Sequence, residues 1–148
     1  MREIKFRAWD RLSGQMFWGS FIKTDIDATA IVFGDGEQVE VEEDKVMQYT
    51  GLKDKNGVEI YEGDIVVIEE DKTKELANEP WNLGYGERCA VEWSNTNLAY
   101  YLMPASGAEE QQMDYYGAWS GWNWLKVIGN IYQHPELLKE RGNERDQI

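Results

Sequence analysis

Residues 47–70 (MQYTGLKDKNGVEIYEGDIVVIEE) have the pattern of consecutive β-strands joined by tight turns. Asn56 and Gly57 predict a two-residue hairpin turn, because both central positions of that turn need a positive φ, which Asn and Gly tolerate. Gly63 and Asp64 predict a second turn, in which Gly63 supplies a positive φ and Asp64 binds a backbone N–H. An apolar strand follows, so the segment as a whole predicts a small β-barrel.

The same strand pattern recurs before and after this segment. Residues 1–21 hold two alternating runs around a turn at residues 11–14, which predicts an antiparallel hairpin. Gly129 predicts a bulge or a close approach inside the last strand. The barrel strands are predicted at residues 52–53, 58–61, 65–69, 88–93, 98–103 and 124–132, with long loops at residues 69–86 and 104–121.

Three segments are predicted along the chain. Residues 1–45 form a β-rich N-terminal part, residues 46–134 form the barrel, and residues 135–148 form a short helix with a polar tail. Pro135 suits the first position of a helix, because its missing N–H has no helical partner to lose there. The helix is expected to run to Arg141, since Gly142 can end it.

Charge and composition indicate a soluble protein. The chain carries 28 Asp and Glu against 15 Lys and Arg, and the resulting net charge of −13 disfavours nonspecific binding to nucleic acid. No apolar run approaches the ~18 residues of a membrane span, and the N-terminus lacks the apolar core of a signal peptide. We therefore expect a cytoplasmic protein without a membrane partner.

No residue pattern points to catalysis. His134 is the single histidine, and no base–nucleophile pair is evident around it. Cys89 is the single cysteine and is interpreted as a small buried apolar residue. Zinc spacing, GxGxxG and Walker motifs are absent. We therefore expect no enzymatic activity and no cofactor.

Residues 35–44 carry six acidic side chains and no basic one. We interpret this run as a solvated edge, because charge also keeps an edge strand from pairing with other chains. The alternative is a metal site, although the spacing departs from that of an EF-hand loop.

The two long predicted loops are rich in aromatic residues beside Gly and Pro. Such clusters predict a recognition surface for a peptide, a base or a sugar. The alternative is that these side chains cap the barrel ends and are mostly buried. The candidate recognition residues are Trp81, Tyr85, Tyr115, Tyr116 and Trp119.

Three blocks of the chain resemble one known family. These blocks are REIKFRAWD at residues 2–10, MQYTGLKDKNGVEIYEGDIV at residues 47–66 and VIGNIYQHPELL at residues 127–138. In this order they are similar to the YopX-like family of phage and prophage proteins. The resemblance implies an SH3-like barrel in the C-terminal two-thirds, preceded by a smaller β-rich part, and a phage or prophage protein acting in the bacterial cytosol. It brings no catalytic residues to this chain.

Three functions follow as hypotheses. The first is a non-enzymatic module that binds an unknown protein partner through the aromatic loops or a sheet edge. The second is an acidic mimic of nucleic acid that inhibits a host DNA-binding protein. The third is a nucleic-acid binder that uses Trp9, Trp18 and the basic residues Arg2, Lys5, Arg7, Arg11 and Lys23 of the N-terminal hairpin. Open sheet edges and surface aromatics also predict a homo-oligomer.

Overall fold

The computed structural model describes residues 3–69, 86–112 and 124–139, and these residues are mainly β. The strands are β1 (Phe6–Asp10), β2 (Gln15–Gly19), β3 (Phe21–Thr24), β4 (Thr29–Val32), β5 (Gln38–Val41), β6 (Val46–Lys53), β7 (Glu59–Tyr61), β8 (Asp64–Ile68), β9 (Arg88–Ser94), β10 (Ala99–Pro104), β11 (Gln111–Gln112) and β12 (Leu125–Asn130). Short 3₁₀ helices lie at Glu43–Lys45 and Pro135–Leu138.

The chain divides into two compact units, Met1–Gly51 and Leu52–Ile148. The boundary predicted between residues 45 and 46 lies at the start of β6, whereas the observed division falls within that strand. β6 is a single eight-residue strand, so the backbone passes from one unit to the next without a linker.

The first unit contains the predicted N-terminal hairpin. β1 pairs antiparallel with β2 and, on its other side, with the start of β6. The turn between β1 and β2 is closed by a 2.8 Å hydrogen bond from the Gly14 amide to the Asp10 carbonyl. β3, β4 and β5 form a separate antiparallel sheet, and its central strand β4 is buried along its whole length.

The core of the first unit is built around Ala8, Ile31 and Val41. Gly19, at the end of β2, lies so close to Ile31 and to the Val32 carbonyl that a Cβ atom there would overlap both. Only glycine therefore allows β2 to pass over β4 at this distance.

The second unit contains a five-stranded antiparallel sheet of order β11-β10-β9-β8-β12. The interior strand β8 carries Ile65, Val66 and Ile68, all with no solvent exposure. Strands β12 and β9 pair with it on its two sides. The core cluster of this unit consists of Ile60, Val66, Ile68, Cys89, Val91, Leu102, Trp124 and Leu125.

In the second unit the structure confirms the bulge predicted at Gly129 and departs from the loop predicted at residues 104–121. The pairing of β12 with β8 shifts register between Val127 and Gly129, which is a β-bulge, and Gly129 also lies against the His134 ring. The predicted loop contains the short edge strand β11, which pairs with β10 and was not anticipated.

The hairpin turn at Asn56 and Gly57 differs from the predicted two-residue form. Gly57 has a φ of 84°, but Asn56 is not among the described residues with positive φ. The Asp54 amide bonds the Val58 carbonyl at 2.8 Å, and the Gly57 amide bonds the Asp54 carbonyl at 3.0 Å. This is a three-residue loop that ends in a left-handed glycine. The Asp54 carboxylate stabilises it by accepting the Asn56 and Val58 amides.

The predicted C-terminal helix is wrong in type and length. This segment forms a short 3₁₀ helix, Pro135–Leu138, and Lys139 already has extended backbone angles. No side-chain hydrogen bond caps this segment at His134, so little offsets the cost of nucleating an α-helix. Within the described ranges, no helix has the length and apolar character needed to cross a membrane.

Candidate functional site

The residues predicted to form the aromatic recognition surface lie outside the described part of the chain. This applies to Trp81, Tyr85, Tyr115, Tyr116 and Trp119, and also to Arg2 of the basic N-terminal set. A recognition surface built from these loop aromatics therefore stays a prediction.

The described residues contain a pocket at the end of strands β9 and β10. Its volume is about 210 Å³. In this register Glu92 and Tyr101 lie opposite each other on one face of the sheet, and Trp93 and Tyr100 lie opposite each other on the other face. The pocket is lined by Glu92, Trp93, Ser94, Tyr101, Met103 and Glu110.

Trp93 lies on the face of the sheet opposite the Glu92 and Tyr101 side chains, and its indole is held in place although the residue is 40% exposed. Its indole Nε1 donates a 2.9 Å hydrogen bond to Asn95 Oδ1. The Tyr100 ring packs edge-on against the indole with ring centroids 4.9 Å apart. Because the indole is already fixed by these two contacts, a partner that packs on its exposed face causes little further loss of side-chain entropy.

The β9–β10 turn beside the pocket contains a strained residue. Leu98 has a φ of 52° and is the one non-glycine residue with positive φ in the described ranges. It is also 73% exposed, so no burial of its own side chain compensates the strain. Residues with backbone strain of about 1–3 kcal/mol cluster at functional sites. The strain at Leu98 therefore makes this end of the sheet a candidate site.

The pocket is acidic. Glu92 and Glu110 are exposed at its rim, and none of the six lining residues is basic. Neither carboxylate belongs to an ion pair among the described residues. The site therefore combines an aromatic surface, the Met103 thioether and two carboxylates without a cation.

Neither Cys89 nor His134 is arranged for nucleophilic catalysis. Cys89 is fully buried on β9, and burial raises the pKa of its thiol to about 12, so the reactive thiolate is scarce at neutral pH. The His134 Nδ1 accepts a 3.2 Å hydrogen bond from the Asn130 amide and lies against Gly129. Both groups serve the packing of the second unit.

The turn at Gly63 and Asp64 has a structural geometry. Gly63 has a φ of 80°, and Asp64 Oδ2 accepts a 2.8 Å hydrogen bond from the Tyr61 amide. The Gly63 amide bonds the Val91 carbonyl at 2.9 Å, and its carbonyl accepts from the Ile131 amide at 2.8 Å. Asp64 is only 2% exposed, so its carboxylate stabilises the turn and is closed to a solvent-borne substrate.

Sequence reasoning missed Asp54, whose carboxylate accepts three backbone amides. Besides the two turn amides, Asp54 Oδ2 accepts a 2.9 Å hydrogen bond from the Val127 amide of β12. Asp54 is 5% exposed. An aspartate two residues before Asn-Gly in a hairpin loop was the available signal, but its partner on β12 is 73 residues away.

The N-terminal cations are largely engaged inside the first unit. Arg7 is 6% exposed, so its charge is removed from the surface. Arg11 Nε donates to Glu42 Oε1 at 2.5 Å, which raises the pKa of Arg11. Lys5 Nζ lies 3.1 Å from Glu3 Oε1. These contacts weaken the case for a positive patch on the hairpin.

The acidic run at residues 35–44 lies on the surface, with all six carboxylates on exposed residues. Asp35 Oδ1 accepts the Glu37 amide at 2.9 Å, and Asp44 Oδ2 accepts from Lys45 Nζ at 2.9 Å. In the part of the chain that the structure describes, no three His, Cys, Asp or Glu side chains come together as a metal site.

Comparison with known proteins places the chain in a family. The solved structure entitled "Crystal structure of protein EF1440 from Enterococcus faecalis" has 26% sequence identity and a TM-score of 0.54, and the match covers 92% of this chain and 98% of that one. Among curated proteins, no sequence matches significantly. The family model described as "YopX protein" matches residues 5–139, which is most of the chain. The chain therefore belongs to the YopX protein family.

Proposed function

We propose that this protein is a non-enzymatic protein-binding module of the bacterial cytosol and that the end of the β9–β10 hairpin, with its pocket and the exposed Trp93, is its recognition site. The observation that carries the proposal is Trp93, which is fixed by Asn95 and Tyr100 yet 40% exposed at this end of the hairpin. Exposed tryptophans held in a fixed rotamer are typical anchors of protein interfaces.

We further propose that the second unit is an SH3-like barrel, which would support the same function. Two hydrogen bonds join the Asp54–Val58 hairpin to β12: the Lys55 amide donates to the Leu125 carbonyl at 2.9 Å, and the Val127 amide donates to Asp54 Oδ2 at 2.9 Å. Leu125 of β12 and Ile60 of β7 belong to the same core cluster. SH3-like barrels often serve as binding modules, which is support by analogy of fold.

A capture experiment with matched tryptophan variants tests the proposal. The tagged full chain, Trp93→Ala and Trp18→Ala are incubated with nuclease-treated bacterial lysate, and retained proteins are quantified by mass spectrometry. Trp18 is the control because it is an exposed tryptophan, 55% accessible, in the other unit. We expect a stoichiometric partner that the wild type and Trp18→Ala retain and Trp93→Ala loses. Equal retention by Trp93→Ala would contradict recognition at this pocket.

A nucleic-acid mimic is the second candidate, and the exposure of all six carboxylates in residues 35–44 favours it. It predicts that the captured partner is a DNA-binding protein and that DNA competes with this chain for it. Neutralising three carboxylates, Glu37→Gln, Glu40→Gln and Glu43→Gln, is then expected to weaken capture while Trp93→Ala leaves it intact. The opposite pattern would leave the β9–β10 pocket as the site.

A further inference from the structure

We propose that Asn56-Gly57 is a site of spontaneous deamidation and that the folded hairpin around it holds the reaction back. Each opening of the hairpin then exposes the second unit to a permanent covalent change. The pair is the one Asn-Gly dipeptide among the 148 residues of the chain. Both residues are exposed, so water reaches them.

The reaction needs no enzyme and no reactant other than water. The Gly57 amide nitrogen gives up its proton and attacks Cγ of the Asn56 side chain, and the side-chain nitrogen leaves as ammonia. The product is a five-membered succinimide ring. Water then opens the ring at one of its two carbonyls, which leaves an aspartate or an isoaspartate at position 56. Glycine favours the attack because it has no Cβ to crowd the nitrogen or restrict rotation of the backbone.

The hairpin keeps the Gly57 nitrogen out of this reaction. Its N–H donates a 3.0 Å hydrogen bond to the Asp54 carbonyl, which must break before the nitrogen can lose its proton and attack. In a three-residue loop of this kind, the residue before the left-handed glycine has a ψ near 0°. Ring closure needs a large rotation away from that value, because the Gly57 nitrogen must turn toward Cγ of Asn56. The turn therefore has to open before Asn56 reacts.

Either product disturbs the contacts that attach the hairpin to β12. The Asn56 amide donates to Asp54 Oδ1 at 2.8 Å, so a new carboxylate at position 56 lies near the buried Asp54 carboxylate, and like charges repel. Isoaspartate also adds one methylene to the backbone, which moves the Gly57 and Val58 amides away from their acceptors on Asp54. The same carboxylate accepts the Val127 amide, so the disturbance reaches β12.

Peptide mapping by mass spectrometry tests the site on the full chain. Folded protein and urea-unfolded protein are aged in the same mildly alkaline buffer, and each peptide that contains Asn is followed for the gain of one mass unit that deamidation causes. Asn95 and Asn97, exposed in the β9–β10 turn, are the internal controls, because neither precedes a glycine. We expect Asn56 to react fastest in the unfolded chain and at least about 10-fold more slowly in the folded one.

Variants connect the protection to Asp54. We expect Asp54→Asn to weaken the loop and to raise the rate at Asn56 in the folded protein about 10-fold. Asp25→Ala is the matched control, because it removes a carboxylate that accepts two turn amides in the first unit, and it should leave this rate unchanged.

The aged protein itself tests the consequence for the fold. The isoaspartyl form is separated by ion exchange, and its urea midpoint is compared with those of the wild type and of Asn56→Asp. Asn56→Asp supplies the new charge without the additional backbone methylene. We expect the isoaspartyl form to unfold at the lowest urea concentration of the three.

Each part of the inference has a result that would overturn it. Equal rates at Asn56 in folded and unfolded protein would overturn the protection, and equally fast reaction of Asn95 or Asn97 in the unfolded chain would overturn the site. An effect of Asp25→Ala as large as that of Asp54→Asn would overturn the role of Asp54. An isoaspartyl form with the urea midpoint of the wild type would overturn the loosening of the second unit.

Discussion

Asp54 joins two distant parts of the second unit, and its removal is expected to destabilise that unit strongly. Its carboxylate accepts the Asn56 and Val58 amides within the hairpin and the Val127 amide on β12, at 2.8–2.9 Å. The side chain is 5% exposed, so water replaces these contacts poorly when the carboxylate is absent. The Val127 bond is the one that links the hairpin to the sheet.

The size of the effect follows from the number and type of bonds. A hydrogen bond to a charged acceptor contributes about 1.5–3 kcal/mol net, and the turn amides of Asn56 and Val58 recover part of this from water. We therefore expect Asp54→Ala to lower the free energy of unfolding by about 3–4 kcal/mol. Asp54→Asn keeps one acceptor for the turn but can place an N–H against the Val127 amide, so we expect a loss of about 2 kcal/mol.

Two measurements check this reasoning. Urea denaturation gives the free energy of unfolding, and amide hydrogen exchange reports the protection of Val127 directly. Asp25→Ala is the matched control, because Asp25 Oδ1 also accepts two turn amides, from Asp27 and Ala28, but is exposed. We expect a clearly smaller loss for this control. If Asp54→Asn and Asp25→Ala have equal effects and Val127 keeps its protection, the buried bond does not stabilise the unit as argued.

Two further predictions concern the packing of the same unit. Gly129→Ala would place Cβ about 2.6 Å from His134 Nδ1, so the ring must move and we expect a loss of about 1–3 kcal/mol in urea denaturation. The same substitution should cost much less in a His134→Ala background, and an undiminished cost would contradict the steric argument. The Cys89 thiol, with its pKa raised to about 12, should react with iodoacetamide at pH 8 only after unfolding. At pH values between 9.0, the ordinary pKa of a cysteine thiol, and about 12, the thiol loses its proton in the unfolded state and keeps it in the folded state. The free energy of unfolding should therefore fall as the pH rises through this range. Cys89→Ala should lose that part of the pH dependence, and an identical pH profile would refute it.

Local chemistry was predictable wherever a residue and its partner are close in the chain. The N-terminal hairpin follows from alternating residues around residues 11–14, and the turn at Gly63 from the need for a positive φ. The family was predictable as well, because the three matching blocks occur in the family's order, and the family model spans residues 5–139. The form of the Asn56-Gly57 turn was harder to predict, because hydrogen bonds from backbone amides to the Asp54 side chain favour the three-residue loop.

The candidate site depended on the tertiary structure. Glu92, Tyr101 and Glu110 are spread over 19 residues and meet only because β9, β10 and β11 pair in one particular register. A one-residue shift of that register would turn every second side chain to the other face of the sheet and dissolve the pocket. The role of Asp54 could not be predicted from the sequence for a similar reason, since its partner amide on β12 lies 73 residues away. The sequence alone thus determined strands, turns and family, through interactions between neighbours in the chain. Strand register and long-range hydrogen bonds, which depend on how the whole unit packs, decided which side chains form a site.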